Sequence, residues 1–273
     1  MKKSMNLGLL SLLMVLLISG AAFSQINGSV DWVNRVVKVK GIGAGPEGPN
    51  QRPMAIRAAK QVALRDALEL IKGMSLNSQT TVANSMVQSD LISTSISGFV
   101  KGFQFEPNPH YMSDGTVEIE VSMPIDGNNG VGSALFGGDV NMIAEKPTAT
   151  FSGSVGGSGG ACTGLIIDAK GLAIKPALMP KVLSEADKEI YGSAWVTRDF
   201  AVKFGMCGYA KNLDNAKQLV DRIGKNPCVV KGIKASGANK ADIVISNQDA
   251  LTVQGAAKSQ NFLAECRVIV IID

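Results

Sequence analysis

An alanine-rich stretch between residues 54 and 72 constrains the fold more than any other feature of this sequence. Four alanines and an isoleucine repeat at every fourth position, which places them on one face of a helix: Ala55, Ala59, Ala63, Ala67 and Ile71. A helix with one apolar stripe must bury it against another element, and such small side chains allow a close approach. The stretch therefore predicts a helix packed on a β-sheet, with Asn50 as its N-cap.

The neighbouring residues predict that sheet. Residues 35–42 are rich in valine and isoleucine, and residues 116–123 alternate strictly between polar and apolar side chains, which is typical of half-buried strands. We expect a second helix over residues 84–96, a strand over residues 99–105 and another strand from Tyr111. This order favours an α+β fold, with an antiparallel or mixed sheet that carries its helices on one face.

A composition change divides the chain into two units. Residues 128–160 are rich in glycine and serine and predict a linker between a first unit at residues 25–127 and a second at residues 161–273. The second unit is predicted to be α/β or α+β, with a hairpin turn at residues 184–188. Its other predicted strands are 163–168, 228–233, 242–246 and 266–272, and its predicted helices are 199–209, 213–223 and 247–258. The last strand is apolar on both faces, which predicts an interior position in the sheet.

The first 24 residues predict an export signal. Lys2 and Lys3 precede an apolar run at residues 7–18, and small residues allow cleavage between Ser24 and Gln25. The run is too short for a membrane-spanning helix, and no cysteine follows it that could be lipidated. We therefore expect a periplasmic or outer-membrane-associated protein, secreted by a signal peptide, without a lipid anchor and without an integral membrane span after the leader is removed.

The charge of the chain argues against nucleic acid as a partner. The sequence carries 27 basic and 23 acidic residues, and two of the basic residues lie in the leader. Neither unit concentrates the positive charge that binding to a phosphate backbone requires. With 18% charged and 45% hydrophobic residues, the composition is that of a packed globular protein.

All four cysteines lie in the second unit: Cys162, Cys207, Cys228 and Cys266. In an oxidising compartment they allow two disulfides in three connectivities, and we expect Cys207 to pair with Cys228 and Cys162 with Cys266. The alternative is that they are buried thiols, which behave as small apolar residues. A zinc site is disfavoured because no two cysteines are close in sequence and the only histidine, His110, is in the first unit.

No motif predicts a catalytic, cofactor or metal site. The glycines of GIGAGPEG lack the spacing of a dinucleotide-binding loop and predict a structural turn. The carboxylate pairs Glu118/Glu120 and Asp187/Glu189 alternate on predicted strands and are expected to face solvent. Other candidates lack a supporting motif: His110 as an acid or base, Ser184, Ser193 and Ser246 as nucleophiles, and Asp168, Asp187 and Asp242 as calcium ligands. Four aromatic residues could form either the core or a binding surface, and we favour the core: Trp32, Phe99, Phe103 and Phe105.

Four segments of the first unit carry a family resemblance: VKVKGIGAG, AIRAAKQVALRDALELIKGM, ISGFVKGFQF and YMSDGTVEIEVSMPIDG. Together they resemble the LPP lipoprotein family of the twenty-kilodalton type and the N-terminal domain of the flagellar assembly protein T, over about residues 29–127. The resemblance implies an envelope protein of didermic bacteria with an α+β fold and no known enzymatic role. The second unit resembles uncharacterised extensions of such exported proteins.

Three hypotheses of function follow from these observations. The leading hypothesis is a non-enzymatic, cofactor-free cell-envelope protein whose first unit binds an envelope or flagellar protein. The alternative is a periplasmic hydrolase or ligand-binding protein with a site between the two units. A third hypothesis is an oligomer that forms a fibre or ring through strand edges.

Overall fold

The computed structural model describes residues 26–48, 50–105, 107–140, 142–150 and 162–273. These residues form a four-stranded antiparallel sheet and a seven-stranded mixed sheet, each accompanied by helices. The predicted α+β class is confirmed. The predicted leader, with its cleavage position between Ser24 and Gln25, lies outside the described residues.

The first sheet belongs to the first unit and has the order β1-β2-β4-β3. All its neighbouring strands are antiparallel. Its strands are β1 (Gly28–Asp31), β2 (Val36–Gly43), β3 (Pro109–Tyr111) and β4 (Val117–Pro124). The predicted strands at residues 35–42 and 116–123 correspond to β2 and β4. The strand expected to begin at Tyr111 is β3, which instead ends at that residue, and β1 was not predicted.

Helix α1 (Gln51–Gly73) covers β2 and β4 with the predicted alanine stripe. All five residues of the stripe are fully buried. The approach is close because β2 presents glycine to the helix: a Cβ on Gly41 would lie 2.1 Å from the carbonyl oxygen of Ala59. Asn50 occupies the N-cap position as predicted, but its side chain makes no capping hydrogen bond.

The second predicted helix is in fact two helices, α2 (Val82–Gln88) and α3 (Asp90–Gly102). Ser89 separates them, and its hydroxyl accepts a hydrogen bond from the backbone nitrogen of Ile92, which starts α3 anew. The predicted strand at residues 99–105 is wrong, because residues 99–102 form the last turn of α3 and residues 103–105 belong to none of the described strands. The buried spacing of Ile92, Ile96 and Val100 explains the helix, since these residues form one continuous apolar stripe.

The structure also corrects the predicted linker. Within residues 128–150, helix α4 (Val131–Phe136) has five of its six residues buried. It packs between α3 of the first unit and α5 (Arg198–Phe204) of the second unit. The hydroxyl of Ser95 donates to the carbonyl of Ala134 at 2.7 Å and fixes α4 on α3. This part of the predicted linker is therefore a packed connection, and residues 151–161 lie outside the described part of the chain.

The second unit is built on the seven-stranded sheet, with the order β7-β6-β10-β9-β5-β11-β8. Neighbours among β9, β5, β11 and β8 are parallel, and β10 joins them through an antiparallel pairing with β9. The strands are β5 (Leu165–Asp168), β6 (Val182–Ser184), β7 (Glu189–Tyr191), β8 (Gly208–Ala210), β9 (Cys228–Ser236), β10 (Asp242–Ile245) and β11 (Val268–Ile271).

Most elements of the second unit agree with the prediction. The last strand, β11, lies between β5 and β8 and is buried along its whole length, as its double-faced apolar sequence requires. The predicted helix over residues 199–209 is too long, because Gly205 ends α5 with a positive φ of 69° and the chain then enters β8. The remaining helices are α6 (Leu213–Gln218), α7 (Val220–Ile223) and α8 (Asn247–Gln260).

The loop after α1 joins the two units. The backbone nitrogens of Leu178 and Met179 donate to the carbonyls of Ser75 and Leu76, at 3.0 and 2.7 Å. Asn239 adds a backbone hydrogen bond of 2.8 Å to the carbonyl of Ser78. The units are thus held by backbone pairing as well as by α4. Over the residues that the structure describes, none of the helices combines the length and the apolar character needed to cross a bilayer.

Candidate functional site

The acid and base candidates of the first unit lie on the outer side of the sheet. His110 is exposed on the edge strand β3, opposite Glu118 of β4. Glu118 forms an ion pair of 3.0 Å with Lys40, and Glu120 is exposed. These side chains face away from α1, so the structure gives them a surface location and no shared cavity.

The candidates of the second unit are dispersed in the structure. Glu189 pairs with Lys181 at 2.7 Å, and Asp187 is exposed in the hairpin turn. The hydroxyls of Ser184 and Ser246 accept hydrogen bonds from backbone nitrogens. Ser184 accepts from Ala186 in the hairpin turn, and Ser246 is the N-cap of α8. Ser193 lies in a short 3-10 helix, and Asp168 is half-buried at the end of β5. Within the described ranges, no three histidine, cysteine or carboxylate side chains are grouped as a metal ion would require.

A surface cavity lies at the C-terminal end of α3, and we call it the α3 groove. It has a volume of about 580 Å³. Its lining combines two aromatic rings, two glycines and three amide side chains with a proline: Phe99, Phe103, Gly98, Gly102, Gln104, Asn128, Asn129 and Pro124. None of these lining residues carries a charge. The groove can therefore accept an apolar group while its amides offer hydrogen bonds at the rim.

The shape of the α3 groove follows from the sequence of α3. Gly98 and Gly102 are four residues apart on the helix, and a Cβ on either would meet nothing within 4 Å. The rings of Phe99 and Phe103 lie 6.0 Å apart, and Phe105 stacks on Phe103 at 6.2 Å. Our preference for a core role is only partly right, because these three rings are half-buried. The motif GFVKG could have identified the groove if residues 99–102 had been predicted as helix.

A largely buried ion pair, whose two side chains are 12% and 16% exposed, lies at the junction of the two units, and the sequence did not reveal it. Arg35 donates from Nε and Nη2 to the two carboxylate oxygens of Asp126, at 2.7 and 2.6 Å. Burial alone lowers the pKa of Arg35, but the hydrogen bonds and the charge of Asp126 outweigh this effect and the pKa is raised. Trp32 packs against the guanidinium at 5.6 Å and against the ring of Tyr209 at 5.8 Å.

Residues of the second unit close over this pair. Gly205 leaves no room for a side chain, since a Cβ there would lie 2.4 Å from Oδ1 of Asp126. Arg222 donates to the carbonyls of Val268, Phe204 and Gly205, at 3.0, 2.5 and 2.8 Å. The backbone nitrogen of Gly127 donates to the carbonyl of Val202 at 2.8 Å. The junction is therefore a tight polar contact.

A small pocket opens beside this junction. It has a volume of about 270 Å³ and is lined from both units, by Val33 and Arg35 on one side and by Tyr209, Leu219 and Arg222 among others on the second. Nη1 of Arg35 is buried and has no hydrogen-bond partner within the part of the chain that the structure describes. The pocket thus combines two guanidinium groups with the carboxylate of Asp221, the amide of Gln218 and apolar walls.

A second polar contact between the units involves Ser78 and Asp242. The Ser78 hydroxyl donates to Oδ2 of Asp242, and the backbone nitrogen of Lys181 donates to Oδ1 at 2.9 Å. Both side chains are buried. Burial raises the pKa of Asp242, and the hydrogen bonds from Ser78 and Lys181 only partly offset this effect. Asp242, considered above as a calcium ligand, instead stabilises the docked loop.

The cysteines differ from the expected pairing. Cys162 is bonded to Cys228, and Cys207 and Cys266 are buried free thiols. Strand order explains the correction: Cys207 precedes β8, and two strands separate β8 from β9, which begins at Cys228. Burial raises the pKa of both free thiols, that of Cys266 to about 12. Burial likewise holds the pKa of Tyr191 and Tyr209 well above the usual value.

Comparison with known proteins identifies a similarity in the second unit. Residues 164–273 match a family described as the second domain of Treponema pallidum Tp0624. No curated protein matches the chain. The matched range contains β5 to β11 and three of the four cysteines; Cys162 lies just before it.

Proposed function

We propose that this chain is an exported, non-enzymatic cell-envelope protein whose first unit binds a protein partner through the α3 groove. The N-terminal leader supports a periplasmic or outer-membrane-associated location without lipidation. The resemblance of the first unit to the LPP lipoprotein family and to the flagellar assembly protein T supports a partner in the outer membrane or the flagellum. The α3 groove is the observation that carries the proposal.

The chemistry of the α3 groove suits a segment of polypeptide. Phe99 and Phe103 provide apolar walls, and the missing side chains of Gly98 and Gly102 leave space for a group of similar size to a leucine or phenylalanine. The amide of Gln104 at the rim can both donate to and accept from a peptide backbone. We therefore expect the partner to present an extended segment with one large apolar side chain and no charge at that position.

The test is photo-crosslinking in cells with a crosslinking amino acid at Gln104, followed by identification of the captured protein. We expect one envelope protein to be captured, and capture to be lost when Gly98→Leu fills the α3 groove. Gly73→Leu is the matched control, because its Cβ also meets nothing within 4 Å but lies at the end of α1. The absence of a specific product, or equal capture with Gly98→Leu, would contradict the proposal.

The pocket between the units favours a second candidate function, the binding of a small anion. Arg35 and Arg222 both line it with one carboxylate, that of Asp221, and among the described residues Nη1 of Arg35 has no hydrogen-bond partner. Phosphate and acetate are suitable probes, because either can accept a charge-assisted hydrogen bond from Nη1 of Arg35. Binding raises the melting temperature of the folded protein, so a rise with phosphate or acetate relative to chloride at equal ionic strength supports this function. Equal melting temperatures would contradict it.

A further inference from the structure

The four cysteines lie at the same end of four strands in the second sheet. The strands β9, β5, β11 and β8 are parallel neighbours in this order, so their amino ends lie side by side at one end of the sheet. Each strand has a cysteine at or just before its start: Cys228 at β9, Cys162 before β5, Cys266 before β11 and Cys207 before β8. Across these strand ends the cysteines therefore follow the order Cys228, Cys162, Cys266 and Cys207.

The existing disulfide joins the first two neighbours in this row. The Cα atoms of Cys162 and Cys228 are 5.4 Å apart, which is typical of disulfides and of adjacent strands. Cys266 and Cys207 precede the other two neighbouring strands, because β11 pairs with β8. Ile269 lies opposite Gly208, so Cys207 is level with Val268, two residues after Cys266. The bonded cysteines have a similar offset, since Cys228 lies opposite Leu165, three residues after Cys162. The side chains of Cys207 and Cys266 are both buried.

We propose that Cys207 and Cys266 form a second disulfide when the chain folds in an oxidising compartment. Each thiol loses its proton, and the two sulfurs together give up two electrons as the S–S bond forms. A disulfide oxidant, such as oxidised glutathione or a thiol–disulfide oxidoreductase, accepts the electrons and leaves as two thiols. This connectivity, 162–228 with 207–266, follows the strand order in which the four cysteines are placed.

Because both cysteines are buried in the folded protein, this disulfide can form only during folding. In the folded protein both thiols are inaccessible, and burial raises the pKa of each, so little reactive thiolate is present. The exchange must therefore occur before β8 docks against β11. A chain that folds under reducing conditions keeps the two thiols, as the structure shows them.

The second bond has a structural consequence at the junction. Strand β8 is the edge strand, and the residues on either side of Cys207 contact the first unit: Gly205 lies over the Arg35–Asp126 pair and Tyr209 packs on Trp32. A bond from Cys207 to Cys266 would tie this edge strand to the interior strand β11. The disulfide would thus stabilise the surface on which the first unit rests.

The decisive measurement is a disulfide map of the mature protein exported from cells and purified without reductant. The protein is unfolded, treated with an alkylating reagent, digested and analysed by mass spectrometry. We expect no alkylated cysteine and two cross-linked peptide pairs, 162–228 and 207–266. Alkylation of both Cys207 and Cys266, or a different pairing, would overturn the proposal.

Refolding gives an independent test with matched variants. The reduced, unfolded mature chain is refolded with or without oxidised glutathione, and free thiols are then counted in denaturant. With glutathione we expect the parent to have no free thiol and, by mass, no bound glutathione. In the variant Cys266→Ser, Cys207 has no partner and should be found as a free thiol or as a mixed disulfide with one glutathione. The double variant Cys207→Ala/Cys266→Ala should retain the 162–228 pair alone. Two free thiols in the glutathione-refolded parent chain would contradict the proposal, and the count does not depend on whether a variant is stable.

Discussion

Arg35 and Asp126, which are 91 residues apart in the sequence, form a bidentate ion pair with N–O distances of 2.7 and 2.6 Å at the junction of the two units. Arg35 lies in the turn between β1 and β2, with a positive φ of 56°, and Asp126 follows β4. Both belong to the first unit, but the second unit covers them through Gly205. The pair therefore fixes a polar surface on which the second unit docks.

We predict that Asp126→Ala destabilises the protein by about 3–5 kcal/mol, the usual cost of leaving one charge of a buried pair without its partner. The measurement is the free energy of unfolding in urea. Lys72→Ala is the control, because its ion pair with Glu69 lies within one helix turn and is partly exposed, so that its loss should cost less than about 1 kcal/mol. Equal losses in the two variants would show that the junction pair does not stabilise the fold.

The pH dependence of stability should report the burial of Asp242. Because burial raises the pKa of Asp242 in the folded state above its unfolded value, ionisation costs more in the folded protein. The contribution of this group to stability is complete below the unfolded pKa of about 3.9 and is lost as the pH rises through the raised folded pKa. The stability of the parent relative to Asp242→Asn should therefore fall over that interval. A constant or rising difference in the free energy of unfolding would contradict the expected shift.

The sequence predicted elements wherever a short-range pattern determined them. The fourfold spacing of Ala55, Ala59, Ala63 and Ala67 allows only a helix, and the double-faced apolar run of β11 allows only an interior strand. At residues 99–105 the aromatic spacing fits either a strand or a helix. The burial of Ile96 and Val100 on one face stabilises the helix over residues 99–102. Because the sequence had predicted a strand there, it did not predict the α3 groove.

Long-range relationships could not be predicted from local patterns. The pairing of Cys162 with Cys228 depends on the order of strands in the second sheet, and that order places β5 beside β9 although other strands lie between them in the sequence. The ion pair of Arg35 with Asp126 likewise depends on how β2 pairs with β4. The glycine- and serine-rich composition around α4 indicated a linker, but the few apolar side chains of α4 were sufficient to pack it between the units.

Two glycines should respond in opposite directions to alanine. Gly98 lies inside α3 and a Cβ there meets nothing within 4 Å, so Gly98→Ala should stabilise the protein by about 0.5–1 kcal/mol through the lower entropy of the unfolded chain. Gly41→Ala would place a Cβ 2.1 Å from the carbonyl oxygen of Ala59 and should destabilise the packing of α1 on β2 by about 1–3 kcal/mol or more. Thermal unfolding of both variants tests this, and a stable Gly41→Ala variant would contradict the close approach.

The last prediction concerns the contact between Gly205 and the Arg35–Asp126 pair. Gly205 has a φ of 69°, and its Cβ would lie 2.4 Å from Oδ1 of Asp126 and 2.5 Å from Nη2 of Arg35. Gly205→Ala should therefore disturb the ion pair in addition to the backbone. Gly171→Ala is the control for positive φ, since φ is 76° there and a Cβ meets nothing within 4 Å; it should cost about 1–2 kcal/mol.

A double-mutant cycle separates the two effects of Gly205→Ala. In the Asp126→Ala background the ion pair is already absent, so the added cost of Gly205→Ala should fall toward that of Gly171→Ala. The free energy of unfolding is measured in urea for the parent, both single variants and the double variant. If Gly205→Ala costs the same in both backgrounds, its effect arises from the backbone alone and the second unit does not rest on the ion pair. A reduced cost in the double variant would instead establish that Gly205 and Asp126 are energetically coupled across the junction.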